Sequence, residues 1–389
     1  MLDVADNCKS NNPTAPIIGL SFFALASGFL MSLIPLSLHS FGLSEQLAPW
    51  LASIFYLGLL IGALRAERII AKVGHRQAFM LFLALLIASI FAMLLLPTAG
   101  IWLGARLLGG FAVAGVFVVV ESWLLMANSL KARAKRLGIY MACLYGGSAV
   151  GQLAIGEVGT QGVLPYLFVI ALLALAMLAP LLITSGQPSH QQQQKLSIKE
   201  IAGLSRPAIV GCLVSGLLLG PIYGLMPVYI AKQVGEPNLT GLLMAAIILG
   251  GMAIQPLVSY LSPRMDKRLL MAMCCLIGLM GVIGAIESND FTLKALSYFI
   301  LGAASFALYP VAISLACDKL PSVKLVSATE LMLLCYSLGS VAGPLLALTL
   351  DNKRQGMMLY LGICLLSTCL YMLIKSMQKI HTQTDHLQN

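Results

Sequence analysis

The chain is divided by a long polar stretch, SGQPSHQQQQKLSIKEIAGLSR, at residues 185–206. It contains a run of four glutamines, followed by apolar residues from Leu196 to Leu204 at roughly helical spacing. This pattern is typical of a linker that carries a short surface helix. It is the longest polar stretch between the two ends of the chain, so it predicts a two-part molecule.

Apolar residues dominate on both sides of this stretch. Of the 389 residues, 59% are hydrophobic and only 10% are charged, whereas a soluble domain carries about 25% charged residues. Because a membrane-spanning helix needs roughly 20 apolar residues, this composition supplies on the order of a dozen spans. It argues against a soluble enzyme and, despite the net charge of +9, against a nucleic-acid-binding protein. A disulfide-linked secreted module is also disfavoured, since most of the nine cysteines lie in apolar runs, as small core residues do, and none forms a CxxC pair.

Six apolar runs precede the polar stretch and six follow it. They cover residues 16–39, 47–64, 78–96, 101–126, 137–156, 163–184, 207–230, 240–261, 269–286, 294–316, 325–349 and 356–374. The sequence therefore predicts an all-α membrane protein with twelve transmembrane helices. The predicted parts are a cytoplasmic N-terminal tail at 1–15, a six-helix bundle at 16–184, a cytoplasmic central linker at 185–206, a second bundle at 207–374 and a cytoplasmic C-terminal tail at 375–389.

The positive charges alternate between the two sides of the membrane. With twelve spans, nineteen of the 24 lysines and arginines fall on the side of both termini, four fall on the opposite side, and Arg106 lies inside a span. Cytoplasmic loops carry the excess of lysine and arginine in membrane proteins. Both termini are therefore predicted to be cytoplasmic, and a wrong number of spans would have scrambled the alternation.

The two halves match when the chain is shifted by 192 residues. One offset that aligns four pairs of spans indicates an internal repeat rather than chance in a glycine-rich protein. The matched pairs are Gly28 with Gly220, Leu33 with Leu225, Pro35 with Pro227, Gly58 with Gly250, Arg76 with Arg268, Gly110 with Gly302, Ser122 with Ser314, Gly147 with Gly339, Ser148 with Ser340 and Gly151 with Gly343. The sequence predicts two parallel six-helix repeats.

Three short segments carry a resemblance to a known family. They are VVVES at 118–122, YGLMP at 223–227 and LYPVA at 308–312. With the six-plus-six arrangement and the central linker, they resemble the major facilitator superfamily (MFS) and, within it, the bacterial YcaD-like branch. The resemblance implies the MFS fold and a transporter of the bacterial inner membrane, and it confers no substrate.

The connection after span 2 resembles a cytoplasmic motif of that superfamily. It keeps Lys72, Gly74 and Arg76, and it has Glu67 where the motif has its first glycine and alanine where the motif has aspartate. The missing aspartate puts the usual lock on the cytoplasmic face in doubt for this half. The surviving cations could also serve only to fix the topology.

Three ionisable residues lie well within predicted spans: Arg106, Glu121 and Glu330. Each costs at least about 2.5 kcal/mol at mid-bilayer, so each needs a polar cavity, a partner or a proton. In similar transporters spans 1, 4, 7 and 10 line the cavity, which implies that Arg106 and Glu121 face it. We expect Glu121 to be the protonatable coupling group and Arg106 to attract an anionic substrate group or the carboxylate. The alternatives are helix packing for Arg106, a hydrogen bond between helices for Glu121 and a structural ion pair with a loop cation for Glu330.

Neutral candidates complete the predicted site. Polar side chains that could line a mostly apolar cavity are Ser27, Ser32, Gln152, Tyr223, Ser305 and Tyr309. Prolines that could bend cavity or gating helices are Pro35, Pro227, Pro310 and Pro344. Packing or interfacial anchoring is the alternative for the tyrosines, and a static kink is the alternative for the prolines.

The sequence contains no Walker A motif, metal-ligand cluster or Ser/His/Asp constellation. We therefore expect a non-enzymatic secondary active transporter without a cofactor, coupled to protons, that moves a small amphipathic organic solute by alternating access, with export favoured. The alternatives are a proton-coupled importer of an organic anion and an uncoupled transporter-like sensor or lipid scramblase. The expected partners are the solute and the lipid bilayer, with no nucleic acid, and the protein is expected to be a monomer.

Overall fold

The architecture was obtained from a computed structural model of the chain. The structure describes residues 14–125, 130–182, 205–318, 325–350 and 355–388, and within these ranges it describes the side chains of all but 125, 130–134, 325–327, 330 and 379–388. The chain forms two compact units, Met1–Gln193 and Gln194–Asn389. Most of the predicted N-terminal tail lies outside the described residues. The predicted central linker also lies outside them, except for its last two residues.

The first unit is a bundle of six long helices. They are α1 (Thr14–Ser37), α2 (Ala48–Val73), α3 (His75–Leu95), α4 (Ala99–Leu125), α5 (Leu130–Val158) and α6 (Leu164–Leu182). Two short 3-10 turns at Leu38–Phe41 and Glu45–Leu47 join α1 to α2.

The second unit repeats this arrangement with one additional break. Its helices are α7 (Arg206–Gly224), α8 (Met226–Val234), α9 (Pro237–Leu261), α10 (Lys267–Glu287), α11 (Phe291–Cys317), α12 (Leu325–Ala347) and α13 (Gly356–Gln388). The break at Leu225 separates α7 from the short α8 within a single predicted apolar run. A 3-10 turn at Leu348–Leu350 follows α12.

Twelve helices of the described chain are long and apolar enough to cross a membrane. They correspond one for one to the twelve apolar runs of the sequence, and the described residues contain no strand. The surface of these helices carries many exposed leucines, such as Leu95, Leu182 and Leu370, as a surface in contact with lipid requires. The prediction of an all-α membrane protein with twelve transmembrane helices is confirmed.

Glycines allow α2 and α4 to pack with their backbones in contact. A Cβ atom added to Gly58 would lie 2.1 Å from the carbonyl oxygen of Leu107, and one added to Gly110 would lie 2.0 Å from that of Phe55. These distances are too short for any side chain, so only glycine permits this crossing. Small residues at helix crossings are the usual way for membrane helices to approach closely.

The second unit repeats this crossing between α9 and α11. A Cβ atom on Gly250 would lie 2.0 Å from the carbonyl oxygen of Phe299, and one on Gly302 would lie 2.0 Å from that of Ile247. Each of these four residues is 192 positions beyond its counterpart in the first unit. The offset therefore relates contacts as well as residue types, which confirms the predicted repeat.

Two helical ends differ from the sequence-based boundaries. α2 was predicted to end near residue 64, but it continues to Val73 through Arg65, Glu67, Arg68 and Lys72. Charged residues are good helix formers, and cations in the last turn interact favourably with the helix dipole. The predicted C-terminal tail is helical as far as Gln388, as a continuation of α13.

Candidate functional site

Arg106 lies on α4, in the first third of the helix, and its side chain is half-buried. Its guanidinium carbon lies 4.1 Å from the centre of the Phe55 ring on α2. A cation over an aromatic face is attracted by the ring quadrupole, and this attraction is stronger where water is excluded. The aromatic ring thus compensates part of the cost of keeping a charge inside an apolar bundle.

The glycine crossing described above creates this contact. Gly110 packs against the carbonyl of Phe55, and Gly58 packs against the carbonyl of Leu107, the residue after Arg106. Because the two backbones touch at these points, the Phe55 ring can reach the guanidinium one turn away. The α2/α4 crossing therefore positions Arg106.

An aromatic cluster lies at the same end of the first unit. The rings of Phe41, Trp102 and Tyr166 have pairwise centroid distances of 5.5, 5.6 and 6.3 Å. The Tyr166 hydroxyl lies 2.7 Å from the hydroxyl oxygen of Ser37, and it interacts electrostatically with Arg106. These rings give the arginine a wall that is aromatic but carries a hydroxyl group.

The guanidinium of Arg106 retains capacity to bind. Its Nε atom is buried and has no hydrogen-bond partner, and in the part of the chain that the structure describes Arg106 forms no ion pair. Buried polar groups of proteins are normally hydrogen-bonded, so an exception calls for an explanation. A carboxylate, a phosphate or a carbonyl oxygen of a bound molecule would supply the missing acceptor.

Glu121 lies fifteen residues further along α4, about 22 Å away along the helix axis. Its side chain is exposed, and it interacts electrostatically with Tyr140 on α5. Among the described residues no ion pair involves Glu121, and the separation excludes direct contact with Arg106. The two charges of α4 therefore lie at separate places on one helix.

Ser32 and Gln152 form a polar connection between α1 and α5. The Ser32 hydroxyl donates to Gln152 Oε1 over 2.6 Å, and Gln152 Nε2 donates to the carbonyl oxygen of Gly28 over 2.5 Å. Both side chains are completely buried, so these groups join two helices of the bundle. Ser27, on the same helix as Ser32, is half-buried.

The aromatic candidates of the second unit pack in pairs. The Tyr223 ring lies 5.8 Å from that of Phe306, and the Tyr309 ring lies 5.0 Å from that of Tyr336, both measured between centroids. Ser305 is completely buried, and its hydroxyl has no hydrogen-bond partner in the structure. These pairs connect α7, α11 and α12. Glu330 lies on α12, and its side chain is outside the described residues.

The four predicted bend prolines occupy two kinds of position. Pro35, Pro310 and Pro344 lie inside α1, α11 and α12. Pro227 lies in the first turn of α8, directly after the break at Leu225, where a proline needs no backbone hydrogen-bond partner. Pro221 lies near the end of α7 and accepts a hydrogen bond from the Leu225 amide over 2.7 Å.

Comparison with known proteins identifies the family. The family model described as Major Facilitator Superfamily matches residues 17–344. The chain belongs to the Major Facilitator Superfamily. An uncharacterized MFS-type transporter of Yersinia pestis (strain Pestoides F) is 31% identical over 95% of this chain and 96% of its own length. The uncharacterized MFS-type transporter YcaD of Escherichia fergusonii is 30% identical over 94% and 95%.

A solved structure shares the fold. A mutant of the nucleoside transporter NupG superposes on this MFS chain with a TM-score of 0.76, over 93% of this chain and 98% of its own, at 13% sequence identity. The predicted resemblance to the superfamily and its YcaD-like branch is confirmed, as is the MFS fold.

The connection after span 2, which resembles the cytoplasmic motif of the superfamily, is helical on both sides of a single residue, whereas the sequence predicted a loop. Glu67 and Lys72 lie on α2, Gly74 turns the chain with φ of 82°, and Arg76 lies in the first turn of α3. Arg76 donates from Nε to the carbonyl oxygen of Pro180 over 2.5 Å and from a terminal nitrogen to that of Leu181 over 3.1 Å. It thereby binds carbonyls at the end of α6, which stabilises that helix end.

The second unit contains a charged connection that the sequence did not predict. Lys267, at the start of α10, is buried and forms an ion pair with Asp318 at the end of α11. Its ammonium group also donates to the Ser314 carbonyl over 3.3 Å. Lys267 follows Asp266 in sequence and was counted only as a topology-setting cation. The equivalent residue in the first unit is His75, which packs its ring on Trp123.

Proposed function

We propose that this MFS protein is a secondary active transporter of the bacterial inner membrane that moves a small amphipathic organic solute by alternating access. Transport is coupled to protons, and export is its physiological direction. The observation that carries the proposal is the pair of ionisable side chains on α4, Arg106 and Glu121, neither of which forms an ion pair in the described chain. Structural charges are normally paired, so unpaired ones inside a membrane helix favour a functional role.

Glu121 is the coupling group in this proposal. The carboxylate is exposed although it lies within a membrane-spanning helix, three residues before the end of span 4. An ionised carboxylate that faces lipid within a span is costly, and a water-filled cavity or a bound proton removes that cost. A carboxylate that can lose and regain a proton in such a cavity has the chemistry that proton coupling requires.

Arg106 is the solute-binding group. Its guanidinium lies over the Phe55 ring, and its Nε has no hydrogen-bond partner and no competing carboxylate in the described residues. The half-buried ring of Phe55 supplies apolar area for the rest of the solute. An amphipathic molecule with a hydrogen-bond acceptor or an anionic group matches these features.

Arg106 also favours a second candidate function, import of an organic anion. A guanidinium binds carboxylate and phosphate groups by two parallel hydrogen bonds, and a fully anionic solute would use it better than a neutral one. The two candidates differ in the charge of the solute and in the direction of transport.

The test begins with a thermal-shift screen of the purified full chain. The panel contains organic anions, hydrophobic amines and nucleosides, the last because the fold neighbour is a nucleoside transporter. Solutes that raise the melting temperature are then followed in proteoliposomes that contain a pH-sensitive dye, in both directions of the pH gradient. We expect solute-dependent proton movement that Glu121→Gln abolishes and an affinity for the solute that Arg106→Gln lowers.

Glu157→Gln is the matched control, because Glu157 is an exposed carboxylate near the end of α5 in the same unit. It should transport like the unmodified protein. Flux that ignores the pH gradient would contradict coupling and favour a scramblase. Binding without any flux would favour a sensor, and gradient-dependent flux that survives Glu121→Gln would exclude Glu121 as the coupling acid.

A further inference from the structure

An open cavity of about 560 Å³ lies on the surface of the first unit, apart from the residues of the proposed transport site. It is formed by the second half of α2 and one residue of α4. Its lining residues, which we call the basic groove, are Ile61, Arg65, Arg68, Ile69, Lys72 and Phe111.

Three cations form the rim of the basic groove. Arg65, Arg68 and Lys72 are spaced three and four residues apart, so they share one face of α2. All three side chains are exposed, and among the described residues none of them forms an ion pair. The lining of the groove therefore carries three positive charges and no carboxylate, and it is complementary to an anionic ligand.

The floor of the groove is apolar. Ile61, Ile69 and Phe111 line it, and Phe111 is held beside α2 because Gly62 lets the helices touch. A Cβ atom on Gly62 would lie 2.5 Å from the Phe111 carbonyl oxygen. A ligand that fills the groove must therefore combine a negative head with an apolar body.

The depth of the groove matches a lipid. The second membrane-spanning helix ends at Val73, so Lys72 lies in its last turn and the three cations lie toward one end of the span. Ile61 lies eleven residues earlier, about 16 Å deeper along the helix. The groove is thus cationic near the end of the span and apolar deeper along it, which is the order of polarity along a phospholipid. Lysines and arginines next to a span are attracted to anionic lipids.

We propose that the basic groove is a binding site for an anionic phospholipid of the adjoining leaflet. The phosphate and headgroup bind Arg65, Arg68 and Lys72, and an acyl chain lies along Ile61 and Phe111. The site is separate from Arg106 and Glu121, so it can be tested without knowledge of the transported solute.

The test is native mass spectrometry of the purified full chain titrated with phosphatidylglycerol or with phosphatidylethanolamine of the same acyl chains. We expect phosphatidylglycerol to bind the unmodified chain more tightly. Each cation contributes roughly fivefold in affinity, so Arg68→Gln should weaken phosphatidylglycerol binding about fivefold. The triple variant Arg65→Gln/Arg68→Gln/Lys72→Gln should weaken it on the order of 100-fold. Phosphatidylethanolamine binding should change little.

A charge-matched triple variant is the control. Lys135→Gln/Arg264→Gln/Lys294→Gln removes the same net charge from residues outside the groove and should keep the preference for phosphatidylglycerol. Circular dichroism shows whether the triple groove variant is folded. If it is not, the affinity of the single variant Arg68→Gln for phosphatidylglycerol tests the proposal instead.

Two further competitors separate a lipid from a soluble anion. Inorganic phosphate and glycerol 3-phosphate should fail to displace phosphatidylglycerol, because neither can use the apolar floor. Displacement by either at equal concentration would overturn the assignment in favour of a soluble phosphate. Equal binding of the two lipids by the unmodified chain, or undiminished phosphatidylglycerol binding by Arg68→Gln, would also overturn it.

Discussion

The single residue on which the proposed site depends most is Arg106, whose charge is compensated by an aromatic face rather than by a carboxylate. Its guanidinium carbon lies 4.1 Å from the centre of the Phe55 ring, and Glu121 is too distant along α4 to neutralise it. An ion pair would have locked the arginine in place and removed its capacity for a ligand. The ring contact stabilises the charge without occupying the hydrogen-bond donors of the guanidinium.

Replacement of Phe55 tests this stack. Phe55→Leu should lower the free energy of unfolding by about 0.5–2 kcal/mol through the lost cation–π interaction, in addition to the smaller apolar area. The matched control is Phe91→Leu, since Phe91 is an exposed phenylalanine on α3 that lies under no cation among the described residues. The measurement is thermal unfolding of each purified variant. Equal losses for the two variants would contradict a role for the stack.

Gln152 provides a second test at this scale. Its counterpart in the second unit, 192 residues later, is Pro344. Gln152 forms hydrogen bonds with both Ser32 and the Gly28 carbonyl in the buried contact between α1 and α5. Gln152→Leu should cost about 1–3 kcal/mol, because it leaves a buried hydroxyl and a buried carbonyl without their partner. Ser32→Ala should cost less, since the amide keeps its bond to Gly28. Thermal unfolding of both variants gives the order, and the reverse order would exclude this account.

At the scale of helices, the glycine crossings hold the bundle together. Gly110→Ala in α4 should destabilise the protein by about 1–3 kcal/mol, because the new methyl group collides with the carbonyl of Phe55 and pushes α2 away. Gly104→Ala lies on the same helix with open space around its Cβ, so it should be neutral or stabilising by up to about 1 kcal/mol. Melting temperatures of the two variants measure the contrast. A Gly110→Ala protein as stable as Gly104→Ala would show that α2 and α4 are not in backbone contact.

The two partners of the ion pair between α10 and α11 differ in their exposure to solvent. This difference predicts which substitution lowers the free energy of unfolding more. Lys267 is only 9% exposed and Asp318 is 45% exposed. Asp318→Ala leaves a buried ammonium unpaired and should cost about 2–3 kcal/mol, whereas Lys267→Met leaves a carboxylate that water can solvate and should cost about 1 kcal/mol.

The double variant Lys267→Met/Asp318→Ala completes the cycle. It should be about as stable as Lys267→Met, because no buried charge remains. Thermal unfolding of the three variants gives the comparison. If Asp318→Ala were the least destabilising of them, the Ser314 carbonyl or water would be enough to stabilise the ammonium group without Asp318.

At the scale of the molecule, the sequence predicted the fold well because the bilayer imposes a strong pattern. Runs of about 20 apolar residues mark spans, and the twelve runs match the twelve helices. The 192-residue offset predicted the repeat, and the structure shows that it also relates the crossings, since Gly58 and Gly110 correspond to Gly250 and Gly302 in both sequence and contact. Helix ends were less predictable, because charged residues such as Arg68 form helix readily beyond the apolar run.

The site was predictable only in its residue types. Hydropathy singled out Arg106 and Glu121 as unusual, but the partner of a side chain depends on helix rotation and crossing, which composition does not contain. The stack on Phe55, the bonds of Gln152 and the pairing of Lys267 all join residues far apart in sequence. For the same reason, the cations that served to predict topology gave no indication of the basic groove.

Orientation in the membrane gives the last prediction. Nineteen of the 24 lysines and arginines fall on one side when the spans are counted, so that side should be cytoplasmic. A green fluorescent protein fused after Gln192 should therefore fluoresce, and an alkaline phosphatase fused after Glu236 should be active. Fusions after Gly74 and after Asp266 are separated by six spans, so both should give the cytoplasmic result. Opposite results at these two positions would contradict the parallel repeat, whereas a uniform reversal of all four would contradict the orientation alone.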